Sequence, residues 1–461
     1  MRLLLVSANR ERSPYPVFPL GLACLVPSLE AAGHELRALD LCFEADPEEA
    51  VTAALADFAP QAVIISVRNI DNVTWPGSRS YVAGVKTIVD RCRGIATSIL
   101  GGSGFSLMPA ELLAFTGGDL GVAGEGEEIL PELLACIERG ESPAGLPGVV
   151  AGAGAFAPPR PVERIAAPDR RLFALARYRR EGGMANIQTK RGCPFGCIYC
   201  TYPLLEGRRM RLRPAAEIVA ELRELADAGI DYVYFVDDIF NYPPDFAEEL
   251  CRAMVASGLT MGWSAFINPQ FITPRLMETM VAAGCDAVEF GTDSGSPAML
   301  RNLGKSFGVE QIRESSRICR ELGVDFAHYI LFGGPGETPA TIAESFALMD
   351  EVAPTAVIAM TGIRIFPGTP LFERAVAEGM VTPDEPLLEP TFYLDPAIRE
   401  VLGELVTAGA MTRRNWVAPG LEINMSDAML EAMRHFPVRG PLWKLIKRLG
   451  RSHAKPLSQR Q

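Results

Sequence analysis

The sequence predicts an α/β protein in three parts: a doubly wound parallel sheet, a partial (β/α)6 barrel of the TIM type, and a mostly helical C-terminal extension. Three observations carry this. Short apolar runs alternate with helical patterns through residues 1–140; the alternation returns at 185 after a break rich in Pro, Gly and Ala; and it fades after 375. Strand–helix alternation of this kind builds parallel sheets covered by helices. The predicted divisions are 1–140, a linker at 141–184, a barrel at 185–375 and an extension at 376–461.

In the first unit, LLLVS (3–7), LRALDL (36–41), AVIISV (62–67), TSILGG (97–102) and DLGVAG (119–124) read as strands. Helical patterns separate them near 20–32, 47–57, 81–92 and 109–115, and a last one runs over 127–138. Doubly wound sheets bind ligands beyond the carboxyl ends of their strands. Those ends carry SANRERSPY (7–15), RNIDN (68–72), GGSG (101–104) and GEGE (124–127). Glycine lets backbone approach a ligand closely, although it also simply closes tight turns. RNIDN is not core material. The linker ESPAGLPGVVAGAGAFAPPRPVERIAAPDRRL leaves room for one small hairpin. In the barrel, strands are predicted at 185–191, 232–237, 260–267, 286–291, 326–333 and 356–365. The first intervening helix has Ile218, Val219, Leu222 and Leu225 on one face after Pro214. The extension reads as helical pieces at 390–400, 415–424 and 436–450. Its tail, from Lys444 onward, is basic and holds no acid. The preferred reading is a docked helix with a solvated end, and the amphipathic pattern also suits peripheral contact with a membrane surface.

Composition narrows the function. The 461 residues are 48% hydrophobic and 22% charged, enough for two or three packed domains. A formal net charge of −12 argues against nucleic-acid binding. No apolar run approaches a membrane span, and MRLLLVSANRERS reads as a buried strand rather than a signal peptide. The expected location is the cytoplasm, where ten cysteines are reduced thiols or metal ligands.

RGCPFGCIYC (191–200) carries the chemistry. Cys193, Cys197 and Cys200 form C-x3-C-x2-C in the loop after the first barrel strand, where barrel function gathers. Between Cys136 and Cys251 there is no further Cys or His. Structural zinc wants four ligands. Three thiolates suit a 4Fe–4S cluster whose fourth iron stays open. The other cysteines, such as Cys24, Cys92, Cys136, Cys251 and Cys319, read as apolar packing. His328 and Tyr329 lie on a barrel strand, facing either the interior or the packing around it.

At this point the chain resembles the radical S-adenosylmethionine (radical SAM) superfamily, in the methyltransferase-like branch with an N-terminal cobalamin-binding domain. The resemblance rests on RGCPFGCIYC, FVDDIFN (235–241), EFGTDSGS (289–296), ILFGGPGET (330–338) and RIFPGTPL (364–371), with FPLGLACLVPSLEAAGHEL (18–36) and GEGE in the first unit. Asp293 stands where the fourth-strand pattern usually has Glu, and Phe366 where the sixth has Tyr.

The resemblance implies a 4Fe–4S cluster on Cys193, Cys197 and Cys200, SAM, and cobalamin. It implies SAM contacts at Tyr199, Asp237, Asp238, Ser264, Asn268, Glu289 and Ser294, with backbone near Phe332 and Gly333 against the adenine. Asp238 and Tyr329 are the catalytic candidates. Cobalamin contacts are implied at Ser7, Arg68, Asn69, Gly101, Gly102, Ser103, Gly124, Glu125 and Gly126. The cobalt-ligating D-x-H-x-x-G loop is missing. The only His before position 300 is His34, expected to be solvated. Arg68 would then face the lower side of the corrin, unless it pairs with Asp71 to fix its loop.

The implied reaction is methylation of an unactivated carbon through a 5′-deoxyadenosyl radical and methylcobalamin. The alternative is a radical rearrangement or cyclisation without methyl transfer. A non-catalytic corrinoid sensor fits less well with so complete a cluster loop. A small-molecule substrate and an external electron donor of flavodoxin or ferredoxin type complete the expected partners.

Overall fold

A computed structural model describes residues 1–152, 154–419 and 439–447. The first sheet holds β1 (Arg2–Ser7), β2 (Glu35–Asp40), β3 (Ala62–Ser66), β4 (Thr97–Gly101), β5 (Leu120–Val122) and β6 (Val149–Val150), in the order β2-β1-β3-β4-β5-β6. The first five strands run parallel, and β6 closes the edge antiparallel to β5. Leu3, Leu4, Leu5, Val6, Val63 and Ile65 are fully buried, because helices cover both faces of the sheet and its strands need not alternate. The linker segment expected to form a small hairpin instead adds β6 to this sheet and a helix at Leu175–Gly182. His34, expected in solvent, is buried, with its Nδ1 3.1 Å from the amino terminus of Met1.

The second unit begins with β7 (Ala185–Ile187), followed by a small antiparallel pair, β8 (Lys190–Arg191) and β9 (Arg211–Leu212). The strands β10 (Tyr232–Phe235), β11 (Gly262–Ile267), β12 (Cys285–Asp293), β13 (Asp325–Phe332) and β14 (Ala356–Thr361) then run parallel beside β7. Next come β15 (Ile363–Arg364) and β16 (Phe392–Tyr393), an antiparallel pair. Last is β17 (Trp416–Val417), which adds a seventh strand beside β14. Two predicted strands are therefore broken. The 185–191 run divides between β7 and β8, and the 356–365 run divides at Gly362, whose φ of 69° suits glycine.

The extension is less helical than expected. It supplies β16, a helix at Leu402–Met411, β17 and a 3-10 turn at Leu442–Leu445. The second half of the predicted segment 415–424, residues 420–424, and the basic tail beyond 447 lie outside the described residues. That turn closes the amino end of the barrel. Trp443 packs against Ala287, Ala327 and Ala356, whose small side chains leave room for an indole. Among the described residues no helix is long and apolar enough to cross a membrane.

Candidate active site at the junction of the two units

The carboxyl ends of the first sheet face the loop that follows β8, and a cleft of about 670 Å³ lies between them. One wall is built by Ser7, Arg68, Asn69, Gly101, Gly102, Ser103, Gly124, Glu125 and Gly126; the other by Gln188, Arg191, Tyr199, Cys200, Tyr202 and Glu206. Two glycines shape the first wall. A Cβ on Gly102 (φ 100°) would lie 2.8 Å from the Val67 carbonyl, and one on Gly104 would lie 2.9 Å from the carbonyls of Val67 and Arg68. The Ser103 hydroxyl donates to the Arg68 carbonyl at 3.0 Å and fixes that residue's backbone.

The side chain of Arg68 is open to the cleft, with protein around much of it. It does not pair with Asp71. That carboxylate accepts instead from Arg364 Nε at 2.8 Å, joining the 68–72 loop to β15. Among the described residues Arg68 has no carboxylate partner, and burial lowers its pKa. Glu125 lines the cleft, but its carboxylate is bound to Arg191 (3.1 Å), Arg211 (2.5 Å) and the Val162 amide (2.6 Å). It is a tie between the units rather than a free ligand group. Arg191, which the sequence left unassigned, also pairs with Glu127 at 2.6 Å.

The cysteine loop is held from several sides. Gly192 (φ 98°) passes so close to Arg209 that a Cβ would meet that carbonyl at 2.3 Å. The Cys193 amide donates to the Gly207 carbonyl at 3.0 Å and the Ile198 amide to Leu303 at 3.1 Å. Burial raises the Cys193 thiol to about 11 and the Cys200 thiol to about 12. Cys197 is raised by burial too, while Lys305 acts in the opposite sense. Among the described residues no three Cys, His, Asp or Glu side chains converge on a single-ion geometry. A polynuclear cluster, with each thiolate on a different iron, needs no such convergence. Asp238 adds a second sign that the site is built for a cation. Its Oδ2 is buried without a hydrogen-bond partner. Burial, then Glu206 and Asp237, push its pKa well up, so a cation bound beside it would be needed to hold it ionised.

Several predicted SAM contacts are already committed elsewhere. Asp237 accepts from the Thr189 amide (2.7 Å) and hydroxyl (2.6 Å), and lies 3.3 Å from Lys190 Nζ. It secures the strand before the cysteine loop and is not among the residues that line the cleft. The Ser294 hydroxyl is 3.0 Å from that of Ser345 and accepts from the Ser296 amide. Asn268 caps a 3-10 turn through Gln270 N and donates to Ser306. The Phe332 carbonyl accepts from Gly362, that of Gly333 accepts from Asp395, and the Gly333 amide donates to Glu337. The Phe332 ring packs outward on Phe346 and Trp416.

Ser264 and Glu289 do lie on the barrel's inner face, the face that carries Tyr234, Phe266 and Tyr329. Glu289 accepts from Tyr234 (3.0 Å), from Trp443 Nε1 (2.8 Å) and from Tyr329. Burial raises its pKa against these donors. Tyr329 thus points inward. His328 points outward, stacked on Phe290 and bound to Thr292 at 2.6 Å; burial alone lowers it to about 3. It is a neutral packing group.

Comparison with known proteins agrees with this architecture. Residues 187–349 match the radical SAM superfamily, and residues 6–134 match the B12 binding domain. The chain belongs to the radical SAM superfamily. Within it, the chain stands in the branch that carries a B12-binding domain ahead of the barrel. It is 27% identical over 431 residues to tryptophan 2-C-methyltransferase of Streptomyces laurentii, covering 76% of this chain and 71% of that one. It is 26% identical over 401 residues to an uncharacterized methyltransferase of Pyrococcus horikoshii, covering 83% and 84%. The structure of the radical S-adenosylmethionine methyltransferase TsrM from Kitasatospora setae, with cobalamin and a [4Fe-4S] cluster bound, superimposes with a TM-score of 0.87. That pair is 25% identical and covers 98% of this chain and 99% of TsrM.

Proposed function

We propose that this chain is a cobalamin-dependent radical SAM enzyme that methylates a carbon atom of a small molecule. One observation carries the reading. The two units present their ligand-binding ends to a single cleft, with Arg68, Gly102 and Ser103 on one wall and Tyr199, Cys200 and Tyr202 on the other. Cys193, Cys197 and Cys200 would hold a 4Fe–4S cluster, with the unpaired carboxylate of Asp238 beside them. Arg68, Asn69 and the glycines at 101, 102, 124 and 126 would hold the corrinoid. When bound, the cluster with SAM supplies a carbon-centred radical or a methyl group, and the corrinoid carries the methyl group to its acceptor.

The chain's own residues orient these groups and exclude water. Ser264 and Tyr199 remain the SAM-facing candidates. The aromatic inner face of Tyr234, Phe266 and Tyr329 around Glu289 suits a substrate with a flat, apolar part. The tryptophan methylated by the Streptomyces relative has such a part. Cluster reduction would draw on an external one-electron donor of flavodoxin or ferredoxin type. None of the ten cysteines is paired in a disulfide, as a cytoplasmic setting would keep them.

The test needs no substrate. The chain is reconstituted anaerobically with iron, sulfide and cobalamin, then given SAM and titanium(III) citrate. The reading expects S-adenosylhomocysteine that depends on added corrinoid. Release of 5′-deoxyadenosine with no S-adenosylhomocysteine would favour the non-methylating radical reaction instead.

A further inference from the structure

Lys305 lies far from the cysteine motif in sequence but beside it in space. Its Nζ is 2.7 Å from Asp293 Oδ2, and both side chains are nearly inaccessible, at 7% and 4% exposure. The Tyr199 hydroxyl, from between Cys197 and Cys200, donates to the same carboxylate oxygen. The ammonium stands 6.0 Å from the Tyr199 ring and 5.3 Å from that of Phe307. The turn carrying Lys305 is pressed onto the cysteine loop, since a Cβ on Gly304 would meet the Gly196 carbonyl at 2.5 Å. Asp293 reaches this position only by a backbone irregularity. Its φ is 64°, and the register of β12 on β13 shifts just before it. Local strain of that kind persists only where the surroundings fix it. The charge of Lys305 is felt at Cys197, and Cys200 is within its electrostatic reach.

We propose that Lys305 is a positioning residue for the cluster: with Asp293 it clamps Tyr199 and the cysteine loop, and its charge beside Cys197 makes the cluster easier to reduce. The inference rests on the reading that Cys193, Cys197 and Cys200 hold a 4Fe–4S cluster. Adding one electron makes the cluster more negative. A buried cation next to a ligating sulfur stabilises that state, as hydrogen bonds and charges near sulfur set cluster potentials. The electron comes from outside, in the assay from dithionite. Asp293 partly cancels the cation, so the two residues pull the potential in opposite directions.

The test is an EPR-monitored redox titration of the reconstituted chain and of K305M, K305R and D293N, with iron and sulfide counted per chain. Asn tolerates a left-handed backbone, so D293N keeps the turn. Losing a buried positive charge beside the ligating sulfur lowers the reduction equilibrium of K305M about tenfold, a fall of about 59 mV for one electron. K305R restores most of it, and D293N moves the other way. If Lys305 were only a structural strut, both charge removals would loosen the same loop and displace the potential in one direction. That result, or unchanged midpoints in K305M and D293N, overturns the proposal. Should K305M take up too little iron to titrate, D293N and K305R decide by the same signs. A wild-type chain that takes up no cluster refutes the cluster reading and this inference with it.

Discussion

The Asp71–Arg364 pair sets up a direct test of how the two units are joined. Both side chains are 1% exposed. Asp71 accepts from Arg364 Nε at 2.8 Å and from the Val73 amide at 2.8 Å. Arg364 also donates to the carbonyls of Ile365 (2.7 Å), Leu387 (2.6 Å) and Thr391 (3.3 Å). Asp71→Ala strands a buried guanidinium, at a cost of about 3–5 kcal/mol. Arg364→Met strands a buried carboxylate and empties three carbonyls, at a similar cost. In the double variant Asp71→Ala/Arg364→Met no charge is left behind. What remains is the loss of four hydrogen bonds, those to three carbonyls and that from the Val73 amide, about 1 kcal/mol each and so about 4 kcal/mol in all, a cost the single variants share between them. The single costs therefore sum above the double, with a coupling of about 2 kcal/mol or more, toward the top of what contacting residues show. Urea unfolding of the four chains measures it, provided the slopes agree. Asp71 also anchors the loop carrying Arg68 and Asn69, so the Ala variant binds cobalamin more weakly as well. Additive costs, with coupling below about 0.5 kcal/mol, would refute the view that this pair is one buried unit joining the units.

Three further outcomes are expected. Trp443→Ala empties the alanine-lined floor of the barrel and removes a donor from Glu289; it costs about 3–5 kcal/mol in thermal or urea unfolding, and Trp443→Phe recovers most of that. Glu337, raised by burial to about 7 while accepting from Gly333 and Thr341, favours the protonated fold. Its contribution is full below about pH 4.5 and is lost as pH rises through about 7, so Glu337→Gln flattens that part of a melting-temperature profile. Gly192→Ala drives a methyl group to within 2.3 Å of the Arg209 carbonyl and lowers the iron retained per chain after reconstitution.

The parallel strands were legible because a strand buried on both faces reads as an unbroken apolar run, as LLLVS and AVIISV do. Their ends were legible too, since GGSG and RNIDN are not core sequences. What the sequence concealed depends on distant partners. Asp237 and Asp238 look alike in FVDDIFN, yet only the first meets Lys190 and the Thr189 amide. Glu125 resembled a ligand group until Arg191 and Arg211 converged on it. The pairing of Asp71 with Arg364 spans 293 positions. A two-residue strand such as β17 has no periodicity to read. Arg191 could have been noticed, because a cation ahead of the first cysteine had no local acid to meet. Lys305 carried no comparable signal.

The central claim is that the cleft between the two units holds a corrinoid for the radical SAM centre. Among the described residues no histidine lines that cleft, and Arg68 points into it. The most direct measurement is the EPR spectrum of Co(II) cobalamin added anaerobically to the reconstituted chain. The account predicts one cobalamin per chain, with a base-off signal free of nitrogen superhyperfine splitting and weaker binding in the Gly102→Ala variant. A chain that retains no cobalamin, or a signal split by a protein nitrogen, would contradict it.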